Sequence, residues 1–195
     1  MRWLEVRRHS YAKKGPSRGR GSHLSAEGVA LARAVGADMG PYAIVVTSTQ
    51  ARTMETALAM GFAVDDAVDM PSGYVAGEVG HHDQWQWSEP YATYADKLAQ
   101  QRGLSVVASA HRTLWTRVVE SVPDGASALV IASGGAIEPA LVACMPLGDH
   151  HGWGGPFRHC DGVVLAFDGA FASVEFRRVA VENPDEDPML TEADD

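Results

Sequence analysis

Four short apolar runs limit what this chain can fold into. Trp3-Leu-Glu-Val6, Ala43-Ile-Val-Val46, Ala128-Leu-Val-Ile-Ala132 and Val163-Val-Leu-Ala-Phe167 are each too short for a helix and are bounded by polar or turn-forming residues. Runs of this kind read as buried strands. Between them the spacing is helical. Ser25 is placed to cap a helix in which Leu24, Leu31, Ala32, Val35 and Met39 recur on one side, with Glu27 in its first turn. A second helix is predicted at about 50–60, with helical patterns at about 91–101 and 104–121. In the last of these, Leu104, Val107, Ala108, His111, Leu114, Trp115 and Val118 form one stripe. A short helix follows Gly135, to about residue 145. Val64 to Met70 adds a candidate strand, and Ser173 to Val181 pairs with Val163 to Phe167 around the turn Asp168-Gly169. Strands alternating with helices predict an α/β fold, a three-layer α/β/α sandwich with a mostly parallel central sheet. One domain is expected over residues 1–181, followed by an acidic tail over 182–195 that is expected to be disordered.

Composition narrows the function classes. The chain has 195 residues, 46% of them hydrophobic, which suffices for one full core. No apolar run reaches the roughly 18 residues of a membrane span. Strand-like sequence begins almost at Met1, so no secretory signal and a cytoplasmic location are expected. Cys144 and Cys160 are two thiols without disulfide or zinc spacing. The net charge of −9 argues against nucleic acid as a partner. That charge is unevenly placed: residues 1–20 carry seven Lys or Arg against Glu5, whereas residues 182–195 carry seven Asp or Glu and no cation. The basic start predicts a local anion site.

Ligands of such sheets bind at the carboxyl ends of the strands. Three strand ends carry polar residues of interest: Arg8-His9, Thr47-Ser48 leading to Arg52, and Ser133-Gly134-Gly135. A guanidinium fork matches phosphate oxygens, and neutral imidazole is a competent nucleophile. Arg52 falls in the first turn of its helix, where the dipole and free amides also favour an anion.

The ordered set Arg8-His9, Leu24-Ser25-x-x-Gly28, Ser48-x-x-x-Arg52-x-x-x-Thr56-Ala57 and the late strand entering Gly134-Gly135 resembles the histidine phosphatase superfamily, which includes the phosphoglycerate mutases. The resemblance covers roughly residues 3–180. It implies phosphate-monoester hydrolysis through a phosphohistidine on His9, with Arg8 and Arg52 clamping the phosphoryl oxygens. It also implies a small phosphorylated substrate or phosphate-like anion as ligand, and no cofactor or metal. Nearby Arg cations are expected to hold His9 neutral for attack. Two departures stand out. Ser10 follows His9 where the family has Gly, either crowding the phosphate or adding a hydroxyl donor. Ser133 stands where the family has a second pocket His, and Gly134 follows it; Ser10, Ser133 and Gly134 are therefore expected to touch substrate. The alternative function is a weakened or inactive phospho-ligand-binding regulatory protein on the same fold.

The proton donor to the leaving oxygen is expected in the loop 71–90. Glu78 is the first choice, Asp83 the second, and His81 or His82 the third. Trp85 and Trp87 in the same loop are read as anchors folding back on the core. Asp149-His150-His151 with His159-Cys160-Asp161 has metal-ligating residue types but no standard spacing. Ser133 lacks the G-x-S-x-G elbow of a serine hydrolase. Gly15 to Gly21 is not a Walker loop and is expected to flank the pocket, with Lys13, Lys14, Arg18 or Arg20 near a substrate anion.

Overall fold

The computed structural model describes residues 1–14 and 22–180; Arg18, Arg20 and the acidic segment 182–195 lie outside the described residues. The strands are β1 (Arg2–Arg8), β2 (Ile44–Ser48), β3 (Asp66–Val68), β4 (Ser127–Ala132), β5 (Gly162–Phe167) and β6 (Phe171–Arg177). The helices are α1 (Ala26–Gly36), α2 (Ala51–Ala59), α3 (Pro90–Ala99), α4 (Gly103–Glu120) and α5 (Ile137–Cys144). The sheet order is β3-β2-β4-β1-β5-β6. β3, β2, β4 and β1 run parallel, and β5 and β6 add an antiparallel hairpin beside β1. The closing strand starts at Phe171, earlier than expected, because Gly169 at φ 74° turns the chain at once.

Strand alternation divides the core into two layers. Val46, Ala128, Val130, Leu4 and Val6 pack with Tyr91, Tyr94, Leu104, Trp115 and Ile137 of α3, α4 and α5. Val45, Leu129 and Ile131 point the other way, onto Ala32 and Ala57 of α1 and α2. Trp87 packs back on this core, its ring 5.1 Å from that of Tyr94. Among the described residues no helix is long and apolar enough to cross a membrane.

The same alternation separates the two arginines at the end of β1. Arg7 Nε donates to Glu5 Oε1 at 2.6 Å and its Nη1 to the Cys160 carbonyl at 3.0 Å, while Tyr42 donates to the other Glu5 oxygen. Breaking a buried pair of this kind costs about 3–5 kcal/mol. Arg7 is therefore occupied by the fold, and Arg8 alone of the pair reaches the strand-end cavity. At the start of α1, Ser25 Oγ accepts from the Gly28 amide at 3.1 Å, the expected cap.

Candidate active site

Sheet register brings the three predicted strand ends together. Arg8 pairs with Ala132 and Thr47 with Ile131, so His9, Ser133 and Ser48 emerge side by side at one edge. A cavity of about 580 Å³ opens there, lined by Arg8, His9, Arg52, Ser133 and Gly134 from the expected set. Loop residues Lys13, Lys14, Ser72, Tyr74, His81 and His82 close over it.

His9 is 7% exposed, and its Nδ1 lies 2.7 Å from the Ser10 carbonyl. A carbonyl only accepts, so the neutral ring carries its proton on Nδ1 and keeps the lone pair on Nε2. Burial holds its pKa well below the ordinary histidine value, with the Arg8 and Arg52 charges adding to the effect. The expected neutral imidazole is present, but desolvation is the larger cause.

Arg8 is held by its surroundings. Its Nη1 donates to the Phe157 carbonyl at 2.7 Å. Gly134 lets the guanidinium approach, since a Cβ there would meet Arg8 Nε at 2.7 Å. Fully buried Glu138 accepts from the amides of Gly135 (2.8 Å) and Phe157 (3.1 Å), tying together the two loops that flank Arg8. Burial raises the Glu138 pKa, while these amides and the Arg8 charge oppose the rise. Nothing in the spacing of the sequence marked Glu138, because its partners are backbone amides 19 or fewer positions away that only folding brings round it.

Arg52 is the second residue of α2, in the first turn after the capping residue Gln50. Its Nη2 donates to Ser133 Oγ at 3.3 Å, and Ser133 Oγ donates to Gln50 Oε1 at 3.1 Å. Thr56, from the same sequence pattern, accepts from the Ser10 amide at 3.0 Å and donates to the Arg52 carbonyl at 2.6 Å. This hydroxyl joins the loop after β1 to the helix that carries the clamp.

Two expected site residues are placed elsewhere. Ser10 is fully buried and its hydroxyl donates to the Gly28 carbonyl at 2.7 Å, so it neither crowds the cavity nor offers a donor into it. Glu78 does not line the cavity; its carboxylate accepts from the amides of Gly103 (2.8 Å) and Leu104 (3.1 Å) and caps α4. Four orphan amides at a helix start attract any carboxylate that can reach them, which explains the diversion. Asp83 is likewise occupied, accepting from the Gly80 amide at 2.6 Å.

Among the described residues that line the cavity there is no Asp or Glu. Five of the eight histidines do line it: His9, His81, His82, His111 and His159. His81 and His82 contact one another with ring centroids 3.9 Å apart, and both lie against Tyr74. His111 also lines the cavity, its Nε2 2.9 Å from the Pro71 carbonyl. Because the carbonyl accepts, it is Nε2 of His111 that donates. The two residue trios weighed as a metal site serve separate ends. His150 Nε2 donates to the Met145 carbonyl and His151 pairs with Glu89, while Asp161 accepts from Arg178. No group of three or more His, Cys, Asp or Glu suited to a metal occurs among the described residues.

Solved structures of similar shape identify the architecture. Phosphoserine phosphatase from Entamoeba histolytica, in complex with 3-phosphoglyceric acid, superposes with a TM-score of 0.65 at 12% identity, covering 92% of this chain and 98% of that one. A mycobacterial glucosyl-3-phosphoglycerate phosphatase gives 0.62 at 19% identity, covering 92% and 100%. YhfR of Bacillus stearothermophilus gives 0.56 at 20% identity, covering 92% and 98%. The chain has the histidine phosphatase fold. No family sequence model matches it, and a comparison with curated proteins gives no match. In this histidine phosphatase fold, the cavity sits at the carboxyl edge of the parallel strands, as the strand order predicts.

Proposed function

We propose that this protein hydrolyses small phosphate monoesters through a phosphohistidine on His9. The observation that carries the reading is a buried, neutral His9 with its Nδ1 proton held by a carbonyl, in a cavity where Arg8 and Arg52 supply cations and no described lining residue supplies a carboxylate. A phosphate monoester brings about −1.5 to −2 charges at neutral pH, which this lining suits. Lys13 and Lys14 extend the same sign outward. The similar phosphatases, named for phosphoserine and glucosyl-3-phosphoglycerate, support a small phosphorylated substrate.

In the reaction, His9 Nε2 attacks phosphorus while the ester oxygen leaves. The Nδ1 bond to the Ser10 carbonyl stabilises the positive ring that forms. Arg8 and Arg52 hold the non-bridging oxygens, and catalysis is mainly positioning and charge. The leaving oxygen takes its proton from the His81–His82 pair, since Glu78 and Asp83 are both occupied by backbone amides. Water then attacks phosphorus as the N–P bond breaks, its proton returning to the His81–His82 pair, and phosphate and free His9 are released.

The test is rapid mixing with p-nitrophenyl phosphate labelled in its phosphoryl group, followed by an alkaline denaturing quench that preserves phosphohistidine. Label on the wild type that is lost in His9→Ala is expected. Ser133 in place of a second His favours the rival reading, a phospho-ligand binder. Orthophosphate binding with no label and no phosphate release would establish that rival and overturn hydrolysis.

A further inference from the structure

His159 is a cavity-lining histidine that the reaction just described leaves unused. It is 7% exposed and precedes β5, across the sheet edge from Ser133. Its ring centroid is 5.6 Å from that of His9 and 4.4 Å from that of Tyr11. Its Nδ1 is fully buried and has no hydrogen-bond partner among the described residues. The ring nevertheless lines the cavity and feels the charges of Arg8, Lys14 and Arg52.

These facts choose the tautomer. A buried, unbonded N–H forfeits a strong donor, whereas an unbonded ring nitrogen forfeits only an acceptor. The proton therefore belongs on Nε2, where a cavity ligand can accept it. Burial first, then the surrounding cations, holds the ring far below the ordinary histidine pKa, so the donor is neutral. A neutral donor that is already desolvated and fixed between Tyr11 and His9 needs little reorganisation when phosphate arrives.

We infer that His159 is a phosphoryl-oxygen donor that does for this chain what a second histidine at position 133 would otherwise do. The inference rests on the hydrolase reading above. Its chemistry is a single hydrogen bond from Nε2–H to a non-bridging oxygen, formed most strongly as charge accumulates there. No proton changes owner.

The test compares wild type with His159→Phe, which keeps the ring packed on Tyr11 and His9 but removes both nitrogens. Vanadate serves as the probe of the pentacoordinate state and orthophosphate as the probe of the ground state. Loss of one such donor lowers turnover by about a hundred- to a thousand-fold. A loss of vanadate affinity of that order is expected in His159→Phe, with a much smaller loss for orthophosphate. The ring 15N resonances of His159 in the wild type should also move on vanadate addition. If the Phe variant fails to fold, His159→Gln and the wild-type resonances carry the decision. Wild type that binds vanadate with no movement of His159, or a folded variant that binds vanadate equally well, would overturn this inference and leave the hydrolase reading standing. Wild type that shows neither vanadate binding nor a labelled His9 would overturn both.

Discussion

Lowering the pH from 7 to 5 should destabilise this protein through its buried histidines. His9 and His159 are each 7% exposed, and both are held neutral in the folded state, first by burial and then by nearby Arg charges. In the unfolded chain each titrates near the ordinary value of about 6.5. The unfolded state therefore binds more protons below that pH, and stability falls as pH falls. Above about 6.5 the contribution is fully present; below it, each histidine removes up to about 1.4 kcal/mol per pH unit until its depressed folded pKa is reached. Between pH 7 and 5 this amounts to about 2 kcal/mol for His159, whose folded pKa is pushed far below that range, and His9 acts in the same direction. That is a large share of a total stability of about 5–15 kcal/mol. Urea unfolding at pH 7, 6 and 5, in wild type and in His159→Phe, isolates one ring. The variant should lose about 2 kcal/mol less than wild type over that interval. Equal losses in the two proteins would show that His159 is not buried in its neutral form, and the reasoning would fail.

Three further outcomes follow from the site. Gly134→Ala puts a methyl 2.7 Å from Arg8 Nε, so kcat/KM for p-nitrophenyl phosphate should fall about a hundred-fold as the clamp shifts; a change of less than about threefold would show that Arg8 gives way freely. Ser133→His should raise phosphatase turnover by restoring an imidazole beside Arg52, and more so in the His159→Phe background; unchanged turnover in both would mean that the serine costs nothing. Glu78→Ala removes the acceptor for two amides of α4 and should cost about 1 kcal/mol in urea unfolding, with kcat unaltered. A collapse of kcat without loss of stability would return Glu78 to the chemistry.

The pattern along the chain determines a good deal on its own. Apolar runs of strand length, helical stripes between them and polar residues at three strand ends specify a layered α/β fold and point to Arg8, His9, Arg52 and Ser133. These features are legible because strand period, cap chemistry and the spacing within α2 are local. The role of a polar loop residue is not local. Glu78 and Asp83 had the right chemistry and the right loop, yet free amides captured both carboxylates. Ser10 sits next to the nucleophile, yet its hydroxyl turns to the Gly28 carbonyl. Arg7 and Arg8 are neighbours in sequence, but the pleat sends them to opposite faces, one to Glu5 and one to the cavity. Glu138 and His159 enter the site from distant segments through packing and backbone hydrogen bonds that leave no pattern in the chain. The sequence by itself determined which strand ends meet and which cations gather there. Only the tertiary structure decided which polar groups stay available to a ligand, because that depends on which buried amides and carbonyls need partners first.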